Sequence, residues 1–207
     1  MQSKAMWFHP ILYFVMVISL FCIGLGYDSA QLKEISACVI WMVFLLTSLT
    51  TIETFMRKEQ EEGLFEQWVL SPYPLWWLMS AKALAIWLLS CLPLLLITPL
   101  MGLAMQLSFV EIQALMMSLL LGSPALTWIG TAGAALTMAL PRTGVFLSLL
   151  LLPLLVPILI LGQSAVPATQ LTPLPLFQFA FLAGISLLAI TLAPHASAAA
   201  IKVAMDE

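Results

Sequence analysis

Long apolar runs dominate the chain, and polar residues gather between them rather than alternating with them. Residues 83–110, 112–141 and 143–201 contain no Asp, Glu, Lys or Arg. Each run exceeds the roughly 20 apolar residues that span a bilayer, and the last is long enough for two spans. The pattern predicts six spans, at about 7–26, 35–55, 75–101, 112–140, 144–162 and 174–193. In hydrocarbon a single segment satisfies its own backbone groups only as a helix, so the prediction is all-α. There is no repeat of fixed period and no linker, so 1–207 reads as one transmembrane domain.

Composition agrees with the pattern. The 207 residues are 62% hydrophobic and 8% charged, against roughly a quarter charged in soluble domains, and the mean hydropathy is +1.08. The chain is therefore read as an integral membrane protein. A secretory signal is a competing reading of 1–30, but the first run is longer than a signal's apolar core and fits a first span better.

Basic residues orient the bundle. With both termini in the cytoplasm, Lys4, Arg57, Lys58, Arg142 and Lys202 fall inside and Lys33 outside. Lys82 lies about 10 Å into the third span at 1.5 Å per residue, and snorkelling would return its ammonium to the cytoplasmic face. The external segments 27–34, 102–111 and 163–173 leave no room for an extracellular domain.

Candidate chemistry is sparse. Cys22, Cys38 and Cys91 lie in apolar runs without CxxC spacing, and His9 and His195 are far apart, so no metal or covalent heme site is predicted. Phosphate-loop, dinucleotide and nucleophile-elbow motifs are missing, which argues against an enzyme. A proton relay would need ionisable residues within the spans, whereas Glu53, Lys82 and Glu111 lie toward span ends, and no ionisable pair is expected to be buried within the spans. Nothing points to nucleic acid. Pro93, Pro99, Pro124, Pro153 and Pro157 predict kinks, either as packing features or as breaks lining a pathway. Gly130, Thr131, Ala134 and Ala135 form a small-residue face suited to helix packing, with a substrate surface as the alternative.

The charges that remain are concentrated. Residues 53–66 hold Glu53, Arg57, Lys58, Glu59, Glu61, Glu62 and Glu66, seven of seventeen charged residues, with a balance of −3 that equals the net charge of the protein. Glu53 with Arg57 and Lys58 with Glu62 are spaced i,i+4, which predicts that the second helix continues beyond the membrane. Gly63 should end it. Leu64, Phe65, Trp68 and Val69 then form a short amphipathic element before "SPYP" turns the chain back. Physically this is either a solvated loop anchored by Trp68, Trp76 and Trp77 at the aromatic belt or a docking surface for a partner's groove.

"EQEEGLFEQWVLSPYPL" resembles the cytoplasmic segment after the second span in ABC-2 type transporter permeases. Combined with "LAIWLLSCLPLLLITPLMGLAMQL", "LLLGSPALTWIGTAGAALTMALPRTGVFLSLLLLPLLVPILILG" and "LAPHASAAAIKVAMDE", the whole chain resembles the heme exporter protein B family, membrane subunits for cytochrome c maturation. The resemblance implies an ABC-2 type permease of the bacterial inner membrane. It also implies a homodimer with a separate ABC ATPase subunit, a multispanning heme-handling membrane protein and a small single-span subunit. In such a complex, ATP hydrolysis releases a heme-loaded periplasmic chaperone. ATP would then be bound by the partner and heme by the complex, with no cofactor assigned to this chain.

Under that reading 53–74 is the ATPase-coupling segment. Glu53 begins it, Arg57, Glu59, Glu61, Glu62 and Glu66 would make its polar contacts, Phe65 and Trp68 its apolar anchor, and Gly63 and Pro72 its turns. A general ABC-2 exporter of a lipid, glycan or drug is the alternative. The resemblance also predicts a basic amphipathic stretch before the first span, whereas only "MQSKAM" precedes Trp7, so further chain is expected upstream. His195 departs from the apolar residue expected there and is not offered as a heme ligand, nor is His9.

Overall fold

The computed structural model describes residues 2–26, 30–137, 143–169 and 175–205, with side chains described throughout these ranges except at 2–8, 30, 66, 69, 137, 143–150, 152 and 203–205. Arg142, residues 138–140 of the fourth predicted span, 170–173 of the last external segment and the Glu66 side chain lie outside the described residues.

The described elements are all helical: α1 (Gln2–Leu25), α2 (Ala30–Glu61), α3 (Leu64–Val69), α4 (Leu75–Ile86), a π-helical turn π1 (Trp87–Cys91), α5 (Leu92–Ala104), α6 (Phe109–Thr137), α7 (Thr143–Ala168) and α8 (Leu176–Met205). Among the described residues, Gln31–Glu61, Leu75–Ala104, Phe109–Leu136 and Leu176–Lys202 are long and apolar enough to cross a membrane, and His9–Leu25 and Pro153–Ala168 are shorter apolar helices. Six apolar helical segments thus stand where six were predicted, and four of them reach spanning length within the described residues.

Helix α6 occupies the middle of the bundle, packed against α2, α7 and α8, while α1 lies on α2 and α5. Its small residues permit this. Trp41 of α2 is fully buried, and a Cβ on Gly122 of α6 would lie 2.6 Å from its ring, while one on Gly162 of α7 would overlap the same ring. The two glycines form the slot into which the indole fits. Its Nε1 donates to Ser118 Oγ at 3.1 Å. Gly130 faces Ile52 of α2 in the same way, and Thr131, Ala134 and Ala135 are buried.

Proline acts unevenly. Helices α6 and α7 continue through Pro124, Pro153 and Pro157 without a break. Upstream of Pro93 the third span does change, because the Leu92 N–H reaches back to the Trp87 carbonyl, a π rather than α spacing. The proline ring would crowd the carbonyl four residues earlier, and one wide turn relieves that clash. Among the described residues the change from α to π spacing falls at π1.

The outer surface is apolar, with Leu12, Met16, Leu20 and Ile23 of α1, Leu96 and Leu100 of α5 and Leu187, Leu188 and Leu192 of α8 all exposed. Patches of this extent are covered by lipid rather than by water.

Candidate coupling segment at the end of α2

Charge is absent from α2 between Glu34 and Glu53, a run of 18 residues that measures about 27 Å at 1.5 Å per residue and matches the hydrocarbon core. Both ends are tied to neighbours by ion pairs. At the start, Lys33 Nζ lies 3.2 Å from Glu111 Oε2. The same oxygen accepts from the Ser108 N–H at 2.7 Å, and the Glu111 N–H donates to Ser108 Oγ at 3.4 Å. This reciprocal Ser-x-x-Glu arrangement satisfies N–H groups that the start of α6 leaves open.

At the far end α2 continues to Glu61, about 12 Å past Glu53. Arg57 pairs with Glu53 at 3.7 Å and Lys58 with Glu62 at 3.8 Å, each worth a few tenths of a kcal/mol to the helix. Gly63 closes it at φ +68, a left-handed conformation that costs a side-chain-bearing residue about 1 kcal/mol or more, and its N–H bonds the Gln60 carbonyl at 3.1 Å. The chain then folds back as α3 against α2, α4 and α8. In the following turn Ser71 Oγ accepts from the Tyr73 N–H at 3.3 Å, and Pro72 is exposed.

Two side chains of the segment turn inward. Phe65 is 6% exposed and makes an edge-to-face contact with Trp68 at 5.0 Å, so it anchors α3 to its own bundle. Leu70, Tyr73, Trp76 and Trp77 are exposed apolar side chains at this end. Glu59 is turned inward as well. Its Oε1 accepts from Lys82 Nζ, with only 14% and 17% of the two side chains exposed. The pair lies beyond the predicted second span, which ends near 55, where the extended α2 meets α4.

The missed pair had a signal. Glu59 stands three residues after Met56 and seven after Ile52, both fully buried, so helical phase alone places it on the packed face. Arg57, Glu61 and Glu62 lie on the exposed side. Lys82 reaches Glu59 rather than open water.

Several neutral polar groups in the interior bond between helices, while others, such as Thr51, Thr98 and Thr131, return to their own helix. Trp87 Nε1 donates to Ser123 Oγ at 3.0 Å, Cys91 Sγ lies 3.5 Å from Thr127 Oγ1 and 3.7 Å from Ser48 Oγ, and Ser186 Oγ donates to the Leu121 carbonyl. Such contacts join helices where the hydrophobic effect gives no preference. Among the described residues no three His, Cys, Asp or Glu side chains come together as a metal site. His195 stacks on Trp76 at 5.3 Å and 7°, and its Nδ1 lies 2.9 Å from the Thr191 carbonyl. A carbonyl only accepts, so Nδ1 carries the proton. An apolar groove of about 700 Å³ between α6, α7 and α8 is lined by Ile129, Gly133, Leu151, Leu154, Leu188 and Leu192.

Apolar helices around α6, ionised groups confined to the two ends and a leucine-rich exterior define a multi-pass helical membrane protein. The CcmB protein family matches residues 1–204, and the chain belongs to that family. It is 44% identical over 200 residues to heme exporter protein B of Pseudomonas aeruginosa, covering 96% of this chain and 89% of that one. To heme exporter protein B of Haemophilus influenzae it is 38% identical over 206 residues, covering 100% and 93%. The corresponding protein of Escherichia coli K12 is 36% identical over 200 residues, covering 96% and 90%. The family resemblance carried by the segments quoted above is thereby confirmed.

Proposed function

We propose that this chain is the membrane subunit of an ABC-type complex for heme export and cytochrome c maturation in the bacterial inner membrane. It works as a homodimeric ABC-2 type permease with both termini in the cytoplasm. Its partners are a separate ATPase, a multispanning heme-handling protein and a small single-span subunit, and ATP hydrolysis on the ATPase drives release of the heme-loaded periplasmic chaperone. Family membership and heme exporter relatives support the heme assignment. The chain carries no phosphate loop of its own, in keeping with a nucleotide site on another subunit.

The observation that carries the coupling role is the shape of α2 and α3. A helix stiffened by two i,i+4 ion pairs leaves the apolar layer, turns at Gly63 and is folded back by buried Phe65. Force applied to α3 would be passed on to α2, α4 and α8, against which it packs. The exposed side, with Arg57, Glu61 and Glu62, supplies polar contacts to the ATPase, and Glu66 is assigned with them.

The test is a double substitution, Glu62→Lys with Glu66→Lys, in a tagged chain expressed with the rest of its complex. Copurification of the ATPase is expected to vanish while the chain remains in the membrane, and undiminished copurification would refute the docking role. Deletion of the gene is expected to abolish all c-type cytochromes with envelope lipids unchanged. Intact c-type cytochromes would instead favour a general exporter.

A further inference from the structure

The cytoplasmic end of α2 contains one ion pair that docking does not explain. Glu53 and Glu62 pair along their own helix, whereas Glu59 pairs across 23 positions with Lys82 of α4. The pair is largely buried, Lys82 Nζ lies 5.8 Å from the centroid of the Phe55 ring, and Glu59 Oε2 is buried without a hydrogen-bond partner among the described residues.

Such a pair is not explained by stability, because two charges taken from water are often replaced by apolar residues without loss. What ionised partners supply is a single relative position, since any sliding of α4 along α2 leaves two buried charges unpaired. Their place in the chain is specific. Residues 59 and 82 close the segment that contains α3 and the "SPYP" turn, and π1 begins five residues after Lys82.

We propose that Glu59 and Lys82 form a clasp that makes the end of α2, α3 and the start of α4 one rigid lever, so that displacement of α3 reaches π1 and the third span. Both are positioning residues rather than contacts to the ATPase. This inference rests on the coupling role proposed above.

The experiment uses the full complex and three readouts: the chain in membranes, the ATPase copurified with it, and c-type cytochrome formed. The variants are Glu59→Gln, Lys82→Met, the neutral double Glu59→Gln/Lys82→Met, and the exchange Glu59→Lys/Lys82→Glu. The singles and the neutral double should retain the ATPase, with cytochrome formation reduced about tenfold, the scale of coupling within one ion-pair network. The exchange should restore most of the lost activity.

A structural role alone would let the neutral double work normally, because it buries no unpaired charge, and that result would overturn the clasp. So would an exchange no better than the singles, or loss of the ATPase from any inserted variant. If the singles fail to insert, the neutral double decides between the two outcomes. Wild-type chain that brings down no ATPase would instead refute the coupling role itself, a failure visible before any variant is compared.

Discussion

Single residues in this bundle act through space as much as through charge. Trp41 fits between helices only because Gly122 and Gly162 lack a Cβ, so Gly162→Leu forces the indole out of its slot and should cost about 1–3 kcal/mol. Thermal unfolding in detergent, followed by tryptophan fluorescence, should show the lowered midpoint, and Gly24→Leu, whose site is open, should not. Glu111 is also held tightly, by Lys33 and Ser108. Glu111→Ala leaves the Ser108 N–H without its acceptor and Lys33 without its partner, and is expected to cost about 1–3 kcal/mol, read by the same unfolding assay. The charges of 53–66 are plain in the sequence, and helical phase turns Glu59 inward while Arg57, Glu61 and Glu62 face outward. That Glu59 meets Lys82 is not legible there, because a partner 23 residues away is invisible to local spacing.

Among elements, the hinge after α2 was the most legible. Acids and bases at i,i+4, a glycine and then paired apolar residues predicted a helix, a break and a short amphipathic helix, and α2, Gly63 and α3 follow that order. Gly63→Val puts a β-branched side chain at φ +68 and should loosen α3 by about 1–2 kcal/mol. Limited proteolysis of inverted membrane vesicles, which present the cytoplasmic face, should then cut near 63–73 faster than in the wild type. Proline was less legible. Five intramembrane prolines predicted kinks alike, yet only the turn before Pro93 becomes π, and there Trp87 and Cys91 contact Ser123 and Thr127 of α6. The consequence of a proline depends on what the adjoining turn can bond to, which is set by the neighbouring helix.

For the whole molecule, the two ion pairs at the ends of α2 lie about 39 Å apart along the helix from Lys33 to Glu59, close to the thickness of a bilayer with its headgroups. In the proposed orientation they lie at opposite faces of the membrane with both termini cytoplasmic, so cysteines introduced by Glu61→Cys and Lys202→Cys should react with an impermeant maleimide only in inverted vesicles, and Glu34→Cys only in intact spheroplasts. Reversal of that pattern would invert the proposed orientation. Cys91 is buried and Cys22 and Cys38 are half-buried, so a cysteine-free parent is the appropriate background.

The membrane class, the number and order of apolar helices and the charged projection are written in the chain, because burial in lipid demands apolar length and local spacing decides helix phase. The family could also be read there, since its segments occur in order along the whole length. Only the packed structure decides that Phe65 secures α3 from within and that Trp41 occupies a slot of glycines. It alone shows that Glu59 belongs to Lys82 and not to the exposed acids. Those outcomes depend on which helix lies beside which, and contacts between distant segments leave no periodic mark in the sequence of either one.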